Sequence, residues 1–84
     1  MTKQIAVSLY DKKAQTYSSI GLYPNSLVAL RDFSELCKNK ESMVSKYPED
    51  YELHTLGVFD NHEGTFNTGK EVIGKASDYA QTEK

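Results

Sequence analysis

Residues 3–10, KQIAVSLY, alternate: Ile5, Val7 and Leu9 point one way, Gln4, Ala6, Ser8 and Tyr10 the other. That period of two predicts a half-buried strand. The polar run Asp11-Lys12-Lys13-Ala14-Gln15 is short enough for a hairpin connection. A second strand is expected from Thr16 to Tyr23, with Ile20 and Leu22 on one face and Tyr17, Ser19, Gly21 and Tyr23 on the other. Pro24 ends it. The period then changes. Asn25-Ser26 offers an N-cap, and Leu27, Leu30, Phe33 and Cys37, joined by Ala29 and Leu36, form the apolar stripe of a helix over about Leu27 to Lys38. Ser42 to Ser45 suggests one short turn that docks Met43 and Val44.

The stretch Lys46 to Phe66, KYPEDYELHTLGVFDNHEGTF, is a hairpin in outline. Pro48 biases Tyr47 away from helix, Tyr51 to Phe59 is extended, and Asp60-Asn61-His62-Glu63-Gly64 supplies turn chemistry. Strict alternation puts Tyr51, Leu53 and Phe59 on one side and Leu56 and Val58 on the other, so both faces of this strand are apolar. Val72 and Ile73 extend or pin the last strand. Gly74 to Ala80 suggests a final helical turn with Ala76, Tyr79 and Ala80 inward, and Gln81 to Lys84 should fray.

The order ββαββ restricts the topology. A right-handed crossover through the helix makes the second and third strands parallel, with the first between them. The expectation is an α+β fold: a four-stranded, mostly antiparallel sheet in the order 2-1-3-4 with one main helix on one face. It forms a single domain over 1–84, with its core over about 3–75. Ile5, Val7, Leu9, Ile20, Leu22, Leu30, Phe33 and Leu56 are the expected core. The second face lacks a strong helix to cover it, and Tyr10, Tyr17 and Tyr23 fall there, with Leu53 and Phe59 depending on how the third strand sits.

The chain's formal charge is −2, but its two parts differ. Residues 1–48 carry seven cations and four anions, and residues 49–84 carry three and eight. Solvated faces explain such asymmetry more simply than a hidden basic patch does. One cysteine excludes an internal disulfide. No apolar run is long enough for a membrane span or the hydrophobic segment of a signal peptide. The expectation is a soluble intracellular protein that makes no membrane contact.

Little here points to catalysis. Cys37 lies on the helix stripe, and neither histidine has a nucleophile and carboxylate at a recognisable spacing, so the chain reads as a non-enzyme without cofactor. His54, His62, Asp60 and Glu63 invite a metal reading, but the last three sit in one turn without metal-site spacing and read as solvated, so no metal site is assigned. Gly64 to Lys70 matches the start of a phosphate-binding loop. The next residue is Glu71, however, where that loop needs a hydroxyl on Mg²⁺. The tyrosine face is the remaining candidate. On residues alone it ranks first as a homodimer interface. Its second reading is a stacking platform for single-stranded DNA, with Tyr10, Tyr17 and Tyr23 taking bases and Lys3, Lys12 and Lys13 taking phosphates.

Three segments, VSLYDKKAQTY, SLVALRDF and YPEDYELHTLGVFDNHEGTF, cover most of the chain up to about Asn67. Through them the chain resembles the small nonstructural protein of gokushoviruses, single-stranded DNA phages of the microvirus family. The resemblance implies a viral, DNA-binding accessory protein of genome replication and packaging in the cytoplasm of the infected bacterial host. Phage replication or procapsid proteins are its implied partners. It transfers no catalytic or binding residue by position. The chain's slight acidity also leaves room for an adaptor that bridges proteins without touching nucleic acid.

Overall fold

The structure, a computed structural model, describes residues 3–79. It is an α+β fold built on an open antiparallel sheet. The elements are β1 (Lys3–Asp11), β2 (Thr16–Tyr17), β3 (Gly21–Tyr23), α1 (Ser26–Lys38), α2 (Met43–Lys46), a 3₁₀ turn (Pro48–Asp50), β4 (Tyr51–Asp60), β5 (Thr65–Lys75) and α3 (Ala76–Tyr79). The sheet order is β2-β1-β4-β5, and β3 also pairs with β1. This is the expected ββαββ arrangement, except that the second strand is two short pieces. The expected Ala80 contact and the frayed Gln81 to Lys84 lie outside the described residues.

The break in the second strand has a definite register. Tyr10 pairs with Tyr17, whereas Ile5 pairs with Tyr23 and Ala6 with Leu22. The paired numbers sum to 27 in β2 (10 + 17) and to 28 in β3 (5 + 23), so one extra residue lies between them. A one-residue slip exchanges the two faces of everything beyond it. Tyr23 therefore joins Ile5 on the helix side and Leu22 goes to the other. Ser18 holds the lifted segment: its amide donates to the Leu9 carbonyl at 2.9 Å, and its carbonyl accepts from the Ser8 hydroxyl at 2.7 Å.

A second slip lies in β4. Ala6 pairs with Gly57 but Val7 with Thr55, leaving Leu56 as the extra residue of a bulge. Leu53, opposite Leu9, faces the helices, while Phe59, opposite Gln4, faces away. The alternation expected for Tyr51 through Phe59 fails at Leu56 for this reason. Bulges are local kinks, and β5 carries matching irregularities against β4.

The main core cluster lies on the helix side, while Ala6, Ser8 and His54 are buried on the other face. Val7, Leu53, Ala29, Phe33, Cys37, Val44 and Ala76 are buried together, with Ile5, Leu9, Tyr23, Leu30, Tyr51, Ile73 and Tyr79 packed against them. The α1 stripe works as read, starting from an Asn25 cap that accepts from the Val28 amide at 3.0 Å. Ser42 caps α2 in the same way, accepting from the Ser45 amide at 3.0 Å. Of the expected core, Ile20 and Leu22 are instead 58% and 47% exposed, one on the lifted segment and one past the slip. Leu56 is half-buried at its bulge. Met43 is exposed while Val44 is buried, so the α2 turn docks through one of its two apolar residues.

Candidate functional site

The face turned away from the helices carries a cluster of side chains from three strands, part of it hydrogen-bonded in a chain. Tyr10 on β1 and Tyr17 on β2 are a cross-strand pair with ring centroids 4.5 Å apart. His54 on β4 stands opposite Ser8, with its ring 5.0 Å from Tyr10 and 5.3 Å from Tyr17. The Tyr17 hydroxyl lies 2.9 Å from His54 Nδ1, and His54 Nε2 lies 2.9 Å from Glu52 Oε1. Lys12 Nζ approaches the other carboxylate oxygen of Glu52 at 3.5 Å.

The chemistry of the chain fixes its protons. The hydrogen bond from His54, with a smaller attraction from Lys12, holds the Glu52 carboxyl below the usual carboxylate range against the opposing effect of burial. An ionised carboxylate only accepts, so Nε2 of His54 carries a hydrogen and donates it. In the neutral ring Nδ1 is then an acceptor, and the Tyr17 hydroxyl donates to it. His54 is buried, yet both of its nitrogens are satisfied.

Cations surround this cluster. Lys70, on β5, places Nζ over the Tyr17 ring, 5.6 Å from its centroid. On a flat sheet β5 and β2 would be three strand spacings apart, about 14 Å. The two long side chains lean toward each other across that gap, and the strands between them carry bulges that bend the backbone locally. Lys75 stands opposite Glu52 in the register. Beyond His54 the floor is small-sided at Ala6, Ser8 and Gly57. A second aromatic pair follows, Phe59 opposite Phe66, with the Phe66 ring lying across Gly57.

Of the residues singled out from sequence, the structure brings together Tyr10, Tyr17 and Lys12. Lys13 lies beside them in the exposed turn, where its amide donates to Asp11 Oδ1. Tyr23 is not on this face. It packs on the core beside Asp32, and burial, then that carboxylate, raise its hydroxyl pKa. Lys3 pairs opposite Asp60 at the far end of β1, about 30 Å along the strand from Lys12 at about 3.3 Å per residue. Sequence reasoning did not place His54, Glu52, Lys70 or Lys75 on this face. The first two alternate with Leu53 in β4, a signal visible once that strand's neighbours are known. Lys70 comes from the opposite end of the strand order, and no local pattern brings it to Tyr17. Among the described residues no group of three or more His, Cys, Asp or Glu side chains is placed to hold a metal ion. Asp60 Oδ1 instead accepts from the amides of His62 and Glu63 at 3.0 and 3.2 Å.

Comparison with known proteins agrees with the resemblance read from the sequence. The chain is 32% identical over 63 residues to "Protein ORF5" of Chlamydia phage 1, a gokushovirus. That alignment takes in 70% of this chain and 66% of the relative, so the chain spans just under two thirds of that protein's length. No solved structure matches. The family described as "Phage ORF5 protein" matches residues 4–79, from the first turn of β1 to the end of α3. Nearly the whole described fold is thus the family's own region, and the chain belongs to the Phage ORF5 protein family.

Proposed function

We propose that this phage protein binds single-stranded DNA weakly through its uncovered face, as a non-enzymatic accessory factor in genome synthesis or packaging in the host cytoplasm. One observation carries the reading: an exposed tyrosine, Tyr17, packed at a tilt against Tyr10, with an ammonium group 5.6 Å from its ring centroid. A nucleotide needs that pairing, an aromatic surface for the base and a cation for the phosphate. An exposed cation–π contact contributes about 0.5–1 kcal/mol, less than the roughly 1–3 kcal/mol of a stacked base. A base can therefore displace Lys70 from the ring, leaving its ammonium free for the backbone.

Fluorescence anisotropy with a labelled oligothymidine at low salt tests this. Tyr10→Ala and Tyr17→Ala should each weaken binding by roughly 1–3 kcal/mol, while Tyr23→Phe, on the helix side, should leave it unchanged. Contacts from Lys12, Lys70 and Lys75 predict a slope of about −2 in log K against log salt, at roughly −0.7 per phosphate on single strands. Absence of binding at tens of micromolar protein, or loss confined to Tyr23→Phe, would remove the proposal.

A second reading, a homodimeric or adaptor surface without nucleic acid, is favoured by Leu22, Phe66 and Val72. They are 47%, 45% and 46% exposed on this same face. Sedimentation separates the two: twice the chain mass, reduced to one by Leu22→Asp or Val72→Asp, together with no DNA binding, selects the protein interface.

A further inference from the structure

Resting on the reading just given, we infer that Tyr17 forms a phosphate subsite of the face, and that the proton on His54 opens it. In the neutral state the Tyr17 hydroxyl is committed inward. Nε2 of His54 donates to Glu52 at 2.9 Å, Nδ1 accepts from Tyr17 at 2.9 Å, and the phenol has no donor left for a ligand. Protonation places a hydrogen on Nδ1. That nitrogen becomes a donor to the Tyr17 oxygen, and the phenolic O–H must rotate away from the ring. On a residue 38% exposed, it rotates outward. One proton thus creates an outward hydroxyl donor and adds a positive charge beneath it, both suited to a phosphodiester oxygen.

Groups from four strands face His54. From β4, Glu52 accepts from His54 and is anionic. From β1, the groups are the neutral Tyr10 ring, 5.0 Å away, and the Ser8 hydroxyl, which donates to the Ser18 carbonyl. From β2 the group is Tyr17 itself, and β5 places the uncharged Val72 opposite. The nearby cations are Lys12, on the far oxygen of Glu52; Lys75, opposite Glu52; and Lys70, over the Tyr17 ring. The last lies over the Tyr17 ring, 5.6 Å from its centroid, and is the cation nearest the ring that carries the outward hydroxyl.

The test is oligothymidine affinity at constant ionic strength between about pH 8 and pH 5.5, the span in which histidines titrate. The parent should bind about threefold to tenfold more tightly at the acid end, the effect of one added charge near a phosphate at dielectric values between surface and bulk water. His54→Gln should abolish the rise, and His62→Gln, in the exposed hairpin turn, should keep it. Tyr17→Phe separates the two ideas, because it retains a stacking ring but has no hydroxyl to turn outward. It should still bind more tightly at pH 8 than Tyr17→Ala does, and gain less than the parent on acidification.

A parent whose affinity does not change with pH, or a His54→Gln variant that keeps the full rise, overturns the proton-gated subsite and leaves base stacking standing. A parent that binds at neither pH overturns both. Should His54→Gln fail to fold, the parent's His54 ring can be followed by NMR with and without saturating oligothymidine. Binding must raise its titration midpoint by the same factor that acidification raises affinity, and an unmoved midpoint refutes the proposal.

Discussion

Phe33 is where the helix layer depends most on one side chain. It is 3% exposed, and its ring meets Tyr79 edge-on at 5.7 Å. A Cβ built on Gly74 would lie 3.4 Å from the ring, so the ring rests flush on the β5 backbone. Phe33→Ala should therefore leave a cavity bounded by α1, α3 and β5 that backbone cannot easily fill. Truncations of this kind cost about 3–5 kcal/mol, against a total stability of about 4–12 kcal/mol for a chain of this length. With an unfolding entropy of about 2.1 cal/mol/K per residue, the melting temperature should fall by roughly 17–28 °C. Thermal and urea melts followed by circular dichroism measure this. Leu27→Ala on the same helix is the control, because Leu27 is 79% exposed and should stay within about 0.5 kcal/mol of the parent. If Phe33→Ala melts within about 3 °C of the parent, the docking of α1 described here is wrong.

Gly57→Ala should destabilise by about 1–3 kcal/mol through overpacking. Its new Cβ would lie 2.5 Å from the Asn67 carbonyl oxygen, so trimming Phe66 to Ala as well should not rescue it; restored stability in that double variant would disprove the backbone clash. Cys37 should resist alkylation in the folded protein at pH 8, because burial pushes its thiol up to about 11 and only the thiolate reacts. Alkylation as fast as that of the urea-unfolded chain would contradict its placement. Glu52 sets an acid dependence. Its folded pKa is depressed by His54 first and Lys12 second, so the unfolded state binds protons more readily. The stability Glu52 contributes is present above its unfolded pKa and is lost as pH falls through the folded value. Glu52→Gln should flatten the acid limb of a urea-midpoint-against-pH curve, and an unchanged limb would show that the pair adds nothing.

What could be read from the chain is what repeats locally. The Ile5-Val7-Leu9 alternation, the α1 stripe with its Asn25 cap, and the turn chemistry after Asp60 each depend on neighbours in sequence, and each is present. What could not be read is parity across a break. Thr16 to Tyr23 looks like one strand, and alternation alone puts Tyr17 and Tyr23 on one side. A single extra residue between Tyr17 and Gly21 reverses that, sending Tyr23 to the core and Leu22 to solvent. Leu56 does the same in β4, separating Leu53 from Phe59. Candidate sites drawn from alternation therefore fail in pairs. Each bulge removes one expected residue from the face and substitutes another.

The net charge is unevenly placed on the fold. An overall −2 argues against nucleic acid only if the charge is spread evenly, and here it is not. Lys12 approaches Glu52, Lys75 stands opposite it and Lys70 lies over Tyr17, with Asp11 in the adjoining turn, so cations outnumber anions there. Asp32 and Glu35 ride on α1 and Asp78 on α3, in the layer behind the sheet. Layers of secondary structure stand about 10 Å apart, while the screening length at physiological salt is about 8 Å. The acidic layer is thus more than one screening length from a phosphate on the open face, and the lysines are not. The sign of the field that such a ligand meets follows the local balance, and becomes more so as salt rises. For the same reason, a proton on His54 counts for more at this face than its share of the total charge suggests.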